Sequence, residues 1–282
     1  MRIAVTGASG FIGRHMIQFL SARGIDVVAV TRDAKRLSGM ENDCLRIVEY
    51  DLALHDEHVF DLLSRPDALV HLAWDGLPNY QSLHHFETEL PRQFSFLKSM
   101  VHGGLQTLLV TGTCFEYGMK SGQLSEHLLG QPGNPYGYAK DALRRQLTFL
   151  QETCPFALIW ARLFYMYGEG QSPGSLYPLL CRAVAAQQDV FNMTGGEQLR
   201  DYLPISEVVR LLALLAEKGI DAGRVNICSG MPISVRKLVE DWIAANHWDI
   251  SLNLGYYPYS PIEPMAFWGD RRYLDTLLGT SG

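Results

Sequence analysis

Tyr136 and Lys140, in Asn134-Pro135-Tyr136-Gly137-Tyr138-Ala139-Lys140, stand four positions apart. On a helix that spacing places a phenol and an ammonium one turn apart on one face. Pro135 suits the first turn of such a helix. A cation beside a phenol stabilises the phenolate and lowers the tyrosine pKa toward neutrality. Tyr136 can then hand a proton to a carbonyl oxygen while hydride arrives at the carbon, and Lys140 can also hold a ribose. A nearby hydroxyl would polarise the same carbonyl. The stretch Val110-Thr111-Gly112-Thr113-Cys114-Phe115-Glu116-Tyr117-Gly118 closes a predicted strand and offers Thr113 first, Thr111 second. Either threonine can instead satisfy backbone at the strand end.

A hydride needs a carrier, and the first thirteen residues are built for one. Ile3-Ala4-Val5 is a short apolar run, followed by Thr6 and Gly7-Ala8-Ser9-Gly10-Phe11-Ile12-Gly13. Phe11, Ile12, His15, Met16, Phe19 and Leu20 then recur with helical period. A strand, a glycine turn and a helix in that order form a dinucleotide-binding unit. Gly7 lets the chain reverse, Gly10 admits a pyrophosphate against the backbone, and Gly13 lets helix and strand pack closely. Free N–H groups and the dipole at the helix start then hold phosphate.

The second strand selects the cofactor. An acid at its end would bond a ribose 2′-hydroxyl. Here it ends Ala29-Val30-Thr31-Arg32-Asp33, with Thr31 in the acid's place and Arg32 next. A guanidinium holds a 2′-phosphate through paired hydrogen bonds, so NADP (as NADPH) is expected. Asp33 would restore NAD if the register slipped by two, and Arg32 can also be read as a solvated loop charge. Asp51-Leu52, after the third strand, can meet the adenine edge; Asp51 can equally cap the segment that follows.

Strand and helix patterns alternate around these residues. Strands are predicted at 27–30, 45–48, 68–73, 105–110 (running on toward Thr113) and 157–163, and helices at 54–64, through Phe94, Leu97 and Val101, and at 136–153. Such alternation implies a parallel sheet with helices on both faces and ligands at the carboxyl ends of its strands. Beyond Leu163 the rhythm loosens. Segments 208–216 and 225–228 can rejoin the sheet, and the Tyr- and Pro-rich tail from Gly255 to Trp268 belongs to a smaller closing lobe. The expected division is a dinucleotide-binding domain of 1–162, with 200–228 returning to it, and a substrate lobe of 163–199 and 229–282.

Composition narrows the function classes. The chain has 282 residues, 47% hydrophobic, and a net charge of −6. That supports a sizeable core and argues against a nucleic-acid partner. Five cysteines without CxxC spacing suggest neither a metal site nor disulfides, and suit a reducing compartment. No apolar run approaches the length of a membrane span. A cytoplasmic protein without membrane attachment is expected.

Taken together, the glycine turn, Thr111 to Gly118, Asn134 to Lys140, Arg162 to Gly168, Arg200-Asp201-Tyr202 and Asn226 to Gly230 resemble an extended short-chain dehydrogenase/reductase. The resemblance is to the nucleotide-sugar epimerase/dehydratase family and runs in family order from residue 3 to about 230. It implies a Rossmann fold, a doubly wound parallel sheet with a smaller C-terminal substrate-binding lobe. It also implies a nicotinamide cofactor and a triad of Thr113, Tyr136 and Lys140. Cofactor contacts would come from Gly7, Ser9, Gly10, Phe11, Ile12 and Gly13. Leu72 and Ala73 would add to them, where His71-Leu72-Ala73 matches a His-x-Ala-Ala strand end. Trp74 departs from the last alanine and either packs in the core or narrows the site.

The resemblance also frames the chemistry. Family dehydratases carry Thr-Asp-Glu where this chain has Thr113-Cys114-Phe115. Neither Cys114 nor Phe115 can do that acid–base work, and Glu116, one place on, is read as a local hydrogen-bonding or surface residue. Reduction of a nucleotide-linked 4-keto-6-deoxyhexose (a dTDP- or CDP-sugar) is the preferred reading. A nucleotide-sugar 4-epimerase is the alternative, and a non-enzymatic NADP sensor the second alternative. Arg200 would meet a substrate phosphate unless it pairs with Asp201. Tyr165 and Tyr167 would line the sugar pocket or pack in the core. The family's second arginine, before its C-terminal acid, is missing from Tyr257 to Glu263, so either Arg182 or Arg200 does more or the nucleotide sits differently. A homodimer is implied by the resemblance alone.

Overall fold

The computed structural model describes residues 1–54 and 56–279. Seven strands form one sheet: β1 (Arg2–Thr6), β2 (Asp26–Thr31), β3 (Leu45–Glu49), β4 (Ala68–His71), β5 (Thr107–Thr113), β6 (Ala157–Leu163) and β7 (Gly223–Ile227). Their order is β3-β2-β1-β4-β5-β6-β7, and every pairing is parallel. The strands read as unbroken apolar runs because both faces are covered. On one face Ile3, Val5 and Val27 pack against Met16 and Leu20 of α1 (Phe11–Ala22). There they also meet Val208 and Leu212 of a later helix, residues 205–218. On the other face Ala4, Val28 and Leu108 meet Leu97 and Met100 of α2 (Leu90–His102) and Leu143 and Leu147 of α3 (Pro135–Thr153).

After β6 the chain leaves the sheet. Leu180 of α4 (Leu176–Ala185) joins Phe191, Ile250 and Trp242 in a separate apolar cluster. The chain returns through α5 (Ile205–Lys218) to β7, then adds Val239 and Trp242 of α6 (Val235–Asn246) to that cluster. α7 (Arg272–Leu278) closes the chain against β7. Strand order reverses between β1 and β4, which opens a crevice at their carboxyl ends. Among the described residues no helix is long and apolar enough to cross a membrane.

One expected element is largely missing. The helix read over 54–64 is a single turn, Val59–Leu62, and His55 lies outside the described residues. Asp51 accepts the Ala53 N–H at 2.9 Å, Asp56 accepts the His58 N–H at 2.8 Å, and Ser64 and Arg65 have positive φ. Side-chain bonds of that kind compete with the helical ladder and stop it from spreading.

Candidate active site

The glycine turn leaves room that any side chain would fill. Gly7 sits at φ +66°, and a Cβ there would come 2.8 Å from the Ala73 nitrogen. At Gly13 a Cβ would lie 2.3 Å from the Gly7 carbonyl oxygen. A cavity of about 220 Å³ opens beside this turn, lined by Gly7, Ser9, Gly10, Arg32, Asp51 and Leu52. Leu72, Ala73 and Trp74 form its far wall. Phe11 and Ile12, on the first turn of α1, line the neighbouring cavity.

At the end of β2 the Thr31 hydroxyl donates to the Ser9 hydroxyl at 3.0 Å, so no carboxylate occupies that spot. Asp33 turns its carboxylate to the Lys35 N–H, 3.0 Å away. Arg32 is half-exposed and pairs with Asp75 at 3.3 Å. Asp51 both caps Ala53 and lines the cavity. Nearby, Asp75, His84 and Glu89 bring potential ligand atoms within 4.8 Å of one another. Arg32, Arg92 and Gln93 already engage their carboxylates.

α3 starts at Asn134, whose side chain accepts the Gly137 N–H at 2.8 Å. That cap and Pro135 fix the first turn, and with it Tyr136. Lys140 is buried and donates to the Thr111 carbonyl at 2.9 Å. Its ammonium lies 4.0 Å from the Trp74 ring centroid and 6.0 Å from that of Tyr136. Burial pushes Lys140 down to about 7. Thr111 is committed elsewhere, its hydroxyl donating to the His71 carbonyl at 3.2 Å. Thr113 accepts the Phe115 N–H at 3.3 Å, and its hydrogen bond to Tyr136 favours the phenolate.

The expected drop in the Tyr136 pKa is not found. Burial dominates and raises it, because Tyr80, His85, Trp74 and Phe115 pack around the ring. The phenol therefore stays protonated, the form that can give a proton. His85 contributes through Nδ1, which accepts the Trp74 indole N–H at 3.1 Å. Nε2 then carries the proton and donates to the Asn79 carbonyl at 2.8 Å. Trp74 thus lines both cavities while also packing against the core of the α2–α3 face. None of Tyr80, His85 and Asp75 stood out in the sequence. The clue available was the density of aromatic residues and histidines between β4 and α2.

Glu116 is fully buried, not on the surface. It accepts from Arg162 at 2.7 Å, from the Trp160 indole at 2.9 Å and from the Thr113 N–H at 2.8 Å. It therefore holds Thr113 in place and is not free for proton transfer. His71 is buried too. Its Nδ1 lies 2.9 Å from the Thr6 hydroxyl, and burial pushes its pKa down to about 3, so it is neutral.

Thr113, Tyr136 and Lys140 face a cavity of about 640 Å³ that shares Leu72 and Trp74 with the first. Tyr165 and Tyr202 join it to a third of about 1160 Å³, where Arg182 and Arg200 lie. Tyr167 lines the middle cavity and also packs on Trp242, centroids 4.8 Å apart. The alternative pairing of Arg200 with Asp201 does not occur. Asp201 instead accepts from Ser229 and from the Gly230 and Gly269 N–H groups. Arg200 pairs with Glu263 at 3.0 Å, and Tyr165 donates to the same carboxylate at 2.6 Å.

Two outcomes follow directly. Thr113→Val keeps the shape and removes one polarising hydroxyl. It should lower kcat about 10²-fold with dinucleotide affinity unchanged, measured by steady-state kinetics beside a binding titration. Lys140→Met should abolish most turnover and raise Tm at pH 7. The unfolded chain holds the Lys140 proton up to its ordinary 10.5, the folded chain only to about 7. Between those values the unfolded state binds more protons, so wild-type stability rises with pH. Melting curves at pH 7 and 9.5 should show that rise in the wild type and a flatter response in the variant.

The residues fit a dinucleotide along the glycine turn, with its far end beside Lys140 and Tyr136. The chain is 32% identical over 278 residues to a dTDP-6-deoxy-L-talose 4-dehydrogenase (NAD(+)) of Aggregatibacter actinomycetemcomitans, covering 95% of this chain and 99% of that protein. MoeE5, solved with UDP-glucuronic acid and NAD, matches at TM-score 0.80 and 28% identity over 99% of this chain and 93% of that one. A UDP-glucuronic acid 4-epimerase from Bacillus cereus, solved with NAD, matches at TM-score 0.82 and 25% identity over 100% of this chain and 93% of that one. Residues 3–228 match the pattern described as the NAD dependent epimerase/dehydratase family, and the chain belongs to that family.

Proposed function

We propose that the chain is a nucleotide-sugar oxidoreductase that reduces the 4-keto group of a nucleotide-linked 4-keto-6-deoxyhexose. The observation that carries this is the lining of the middle cavity. Among the described residues around Tyr136 there, none is Asp or Glu. Elimination of water needs such an acid–base pair, and Cys114 cannot supply it, since burial pushes its thiol up to about 12. Reduction needs one proton donor and one carbonyl-polarising hydroxyl. The apolar side chains of Leu77, Pro78 and Leu163 in the same wall suit a sugar whose C6 is a methyl group.

When bound, the dinucleotide supplies the hydride. Tyr136 gives its phenolic proton to the ketone oxygen as that oxygen gains charge. Thr113 donates a hydrogen bond to the same oxygen. Lys140 holds the adjacent ribose and electrostatically favours the phenolate that forms. The balance is ketone, hydride and proton going to a secondary alcohol, with the dinucleotide oxidised. A 4-dehydrogenase, as the Aggregatibacter relative is named, is this reaction read in the other direction.

Arg32 and Arg36 at the first cavity support NADP, with Thr31 and not an acid ending β2; Asp33 also lines that cavity, one of its oxygens accepting the Lys35 N–H. The competing reading is NAD, which the talose 4-dehydrogenase's name and the NAD in the two solved relatives favour. Five free thiols support a reducing compartment, the cytoplasm.

The test is oxidation of NADPH and NADH against a panel of nucleotide 4-keto-6-deoxysugars. Turnover with one of them supports the proposal. No oxidation with any, alongside interconversion of a stable nucleotide hexose, replaces it with a 4-epimerase, the activity named for the Bacillus relative.

A further inference from the structure

β2 and β4 flank β1 on either side, and the glycine turn rises from the end of β1. Arg32 follows β2 and Asp75 lies beyond β4, so their 3.3 Å ion pair joins the two walls of the first cavity across that turn. Both side chains are about half exposed, 60% and 50%. Asp75 is held from behind. Its own N–H donates to Glu89 at 3.1 Å, and its carboxylate accepts the Gly76 N–H at 3.0 Å. Glu89 is in turn fixed by Arg92 at 2.8 Å and Gln93 at 2.8 Å. The Gly76 bond, then burial opposing it and Arg32 assisting, holds the Asp75 carboxyl below the usual carboxylate range.

We propose that Asp75 tunes cofactor choice by competing with a ribose 2′-phosphate for Arg32. This rests on the reading of the first cavity as the adenosine end of a dinucleotide site. A 2′-phosphate must draw the guanidinium away from Asp75 to form its paired hydrogen bonds. A 2′-hydroxyl leaves the ion pair intact. Asp75 therefore lowers the preference for the phosphorylated cofactor without contributing to the unphosphorylated one. Its anchored carboxylate acts as a built-in rival anion. An exposed ion pair is weak enough for a dianion to displace.

The experiment titrates the full chain with adenosine 2′,5′-bisphosphate and with 5′-AMP by calorimetry. Asp75→Asn should tighten the bisphosphate about three- to fivefold, the size of an exposed ion pair, and leave 5′-AMP unchanged. In an Arg32→Ala background that gain should vanish. Asp75→Asn that shifts both ligands alike, weakens 5′-AMP, or shifts neither overturns the proposal. Arg32→Ala separates the two levels. If it weakens the bisphosphate alone while Asp75→Asn is silent, only the competition fails. If it weakens both ligands equally, the NADP reading fails and takes the competition with it. Both positions are half-exposed, so the unchanged 5′-AMP affinity doubles as a check on folding.

Discussion

Tyr136→Phe is expected to cut turnover by about 10²–10⁴-fold, the range for removing a positioned general acid, and to leave dinucleotide affinity within about a factor of two. The reason is local. The Tyr136 ring is packed by Trp74, Tyr80 and His85 at centroid distances of 6.0, 5.6 and 5.2 Å, and phenylalanine keeps those contacts. What it loses is the single hydroxyl that Thr113 hydrogen-bonds and that the proposed reduction uses as its proton donor. Single-turnover kinetics would read the chemical step, and cofactor fluorescence the affinity. Turnover above a tenth of wild type would show that another group delivers the proton.

Glu116→Leu should destabilise the fold by about 3–5 kcal/mol, because it leaves a buried guanidinium without its counter-charge. Arg162 and Glu116 are both fully buried, and the guanidinium also lies 4.4 Å from the Tyr117 ring centroid. Burial alone would lower the Arg162 pKa, but Glu116 and Tyr117 together outweigh it and raise it. Adding Arg162→Met should recover most of the loss, since an apolar pair needs no compensation. Urea denaturation of the single and double variants checks both statements. A single variant within about 1 kcal/mol of wild type would mean that the guanidinium reaches water or another anion. The same substitution removes the acceptor of the Thr113 N–H, so the surviving folded enzyme should also turn over more slowly.

The parts legible in the sequence share one property: their chemistry is local. Gly7 announces a turn through its positive φ, and Gly13 through the Gly7 and Ala8 carbonyls that a Cβ would strike, both set within a few residues. Tyr136 and Lys140 announce one helix face because four residues make about one turn. Thr113 could be placed because strand ends gather ligands in this architecture. What could not be read depends on distant partners. Glu263 meets Arg200 across 63 positions, and Asp75 meets Arg32 across 43. The phenol's pKa went the unexpected way for the same cause. Its spacing to Lys140 was visible, but the aromatic cover contributed by Tyr80 and His85 was not, and burial outweighs the Thr113 hydrogen bond that favours the phenolate. The helix over 54–64 failed because Asp51 and Asp56 bond their own neighbours, a contest that periodicity alone does not register.

β6 is sealed on its outer side by β7, which pairs Gly223–Ile227 with Ile159–Leu163. On the ribosome, β7 emerges only after α4 and α5 have been made. Until then a nascent chain carries a nearly finished sheet whose last rung of N–H and C=O groups is open to any other strand. When β7 pairs it becomes the edge in turn, and there Glu126 accepts the Asn226 N–H at 2.8 Å, so the finished sheet presents a partly occupied rim where the incomplete one presents a bare one.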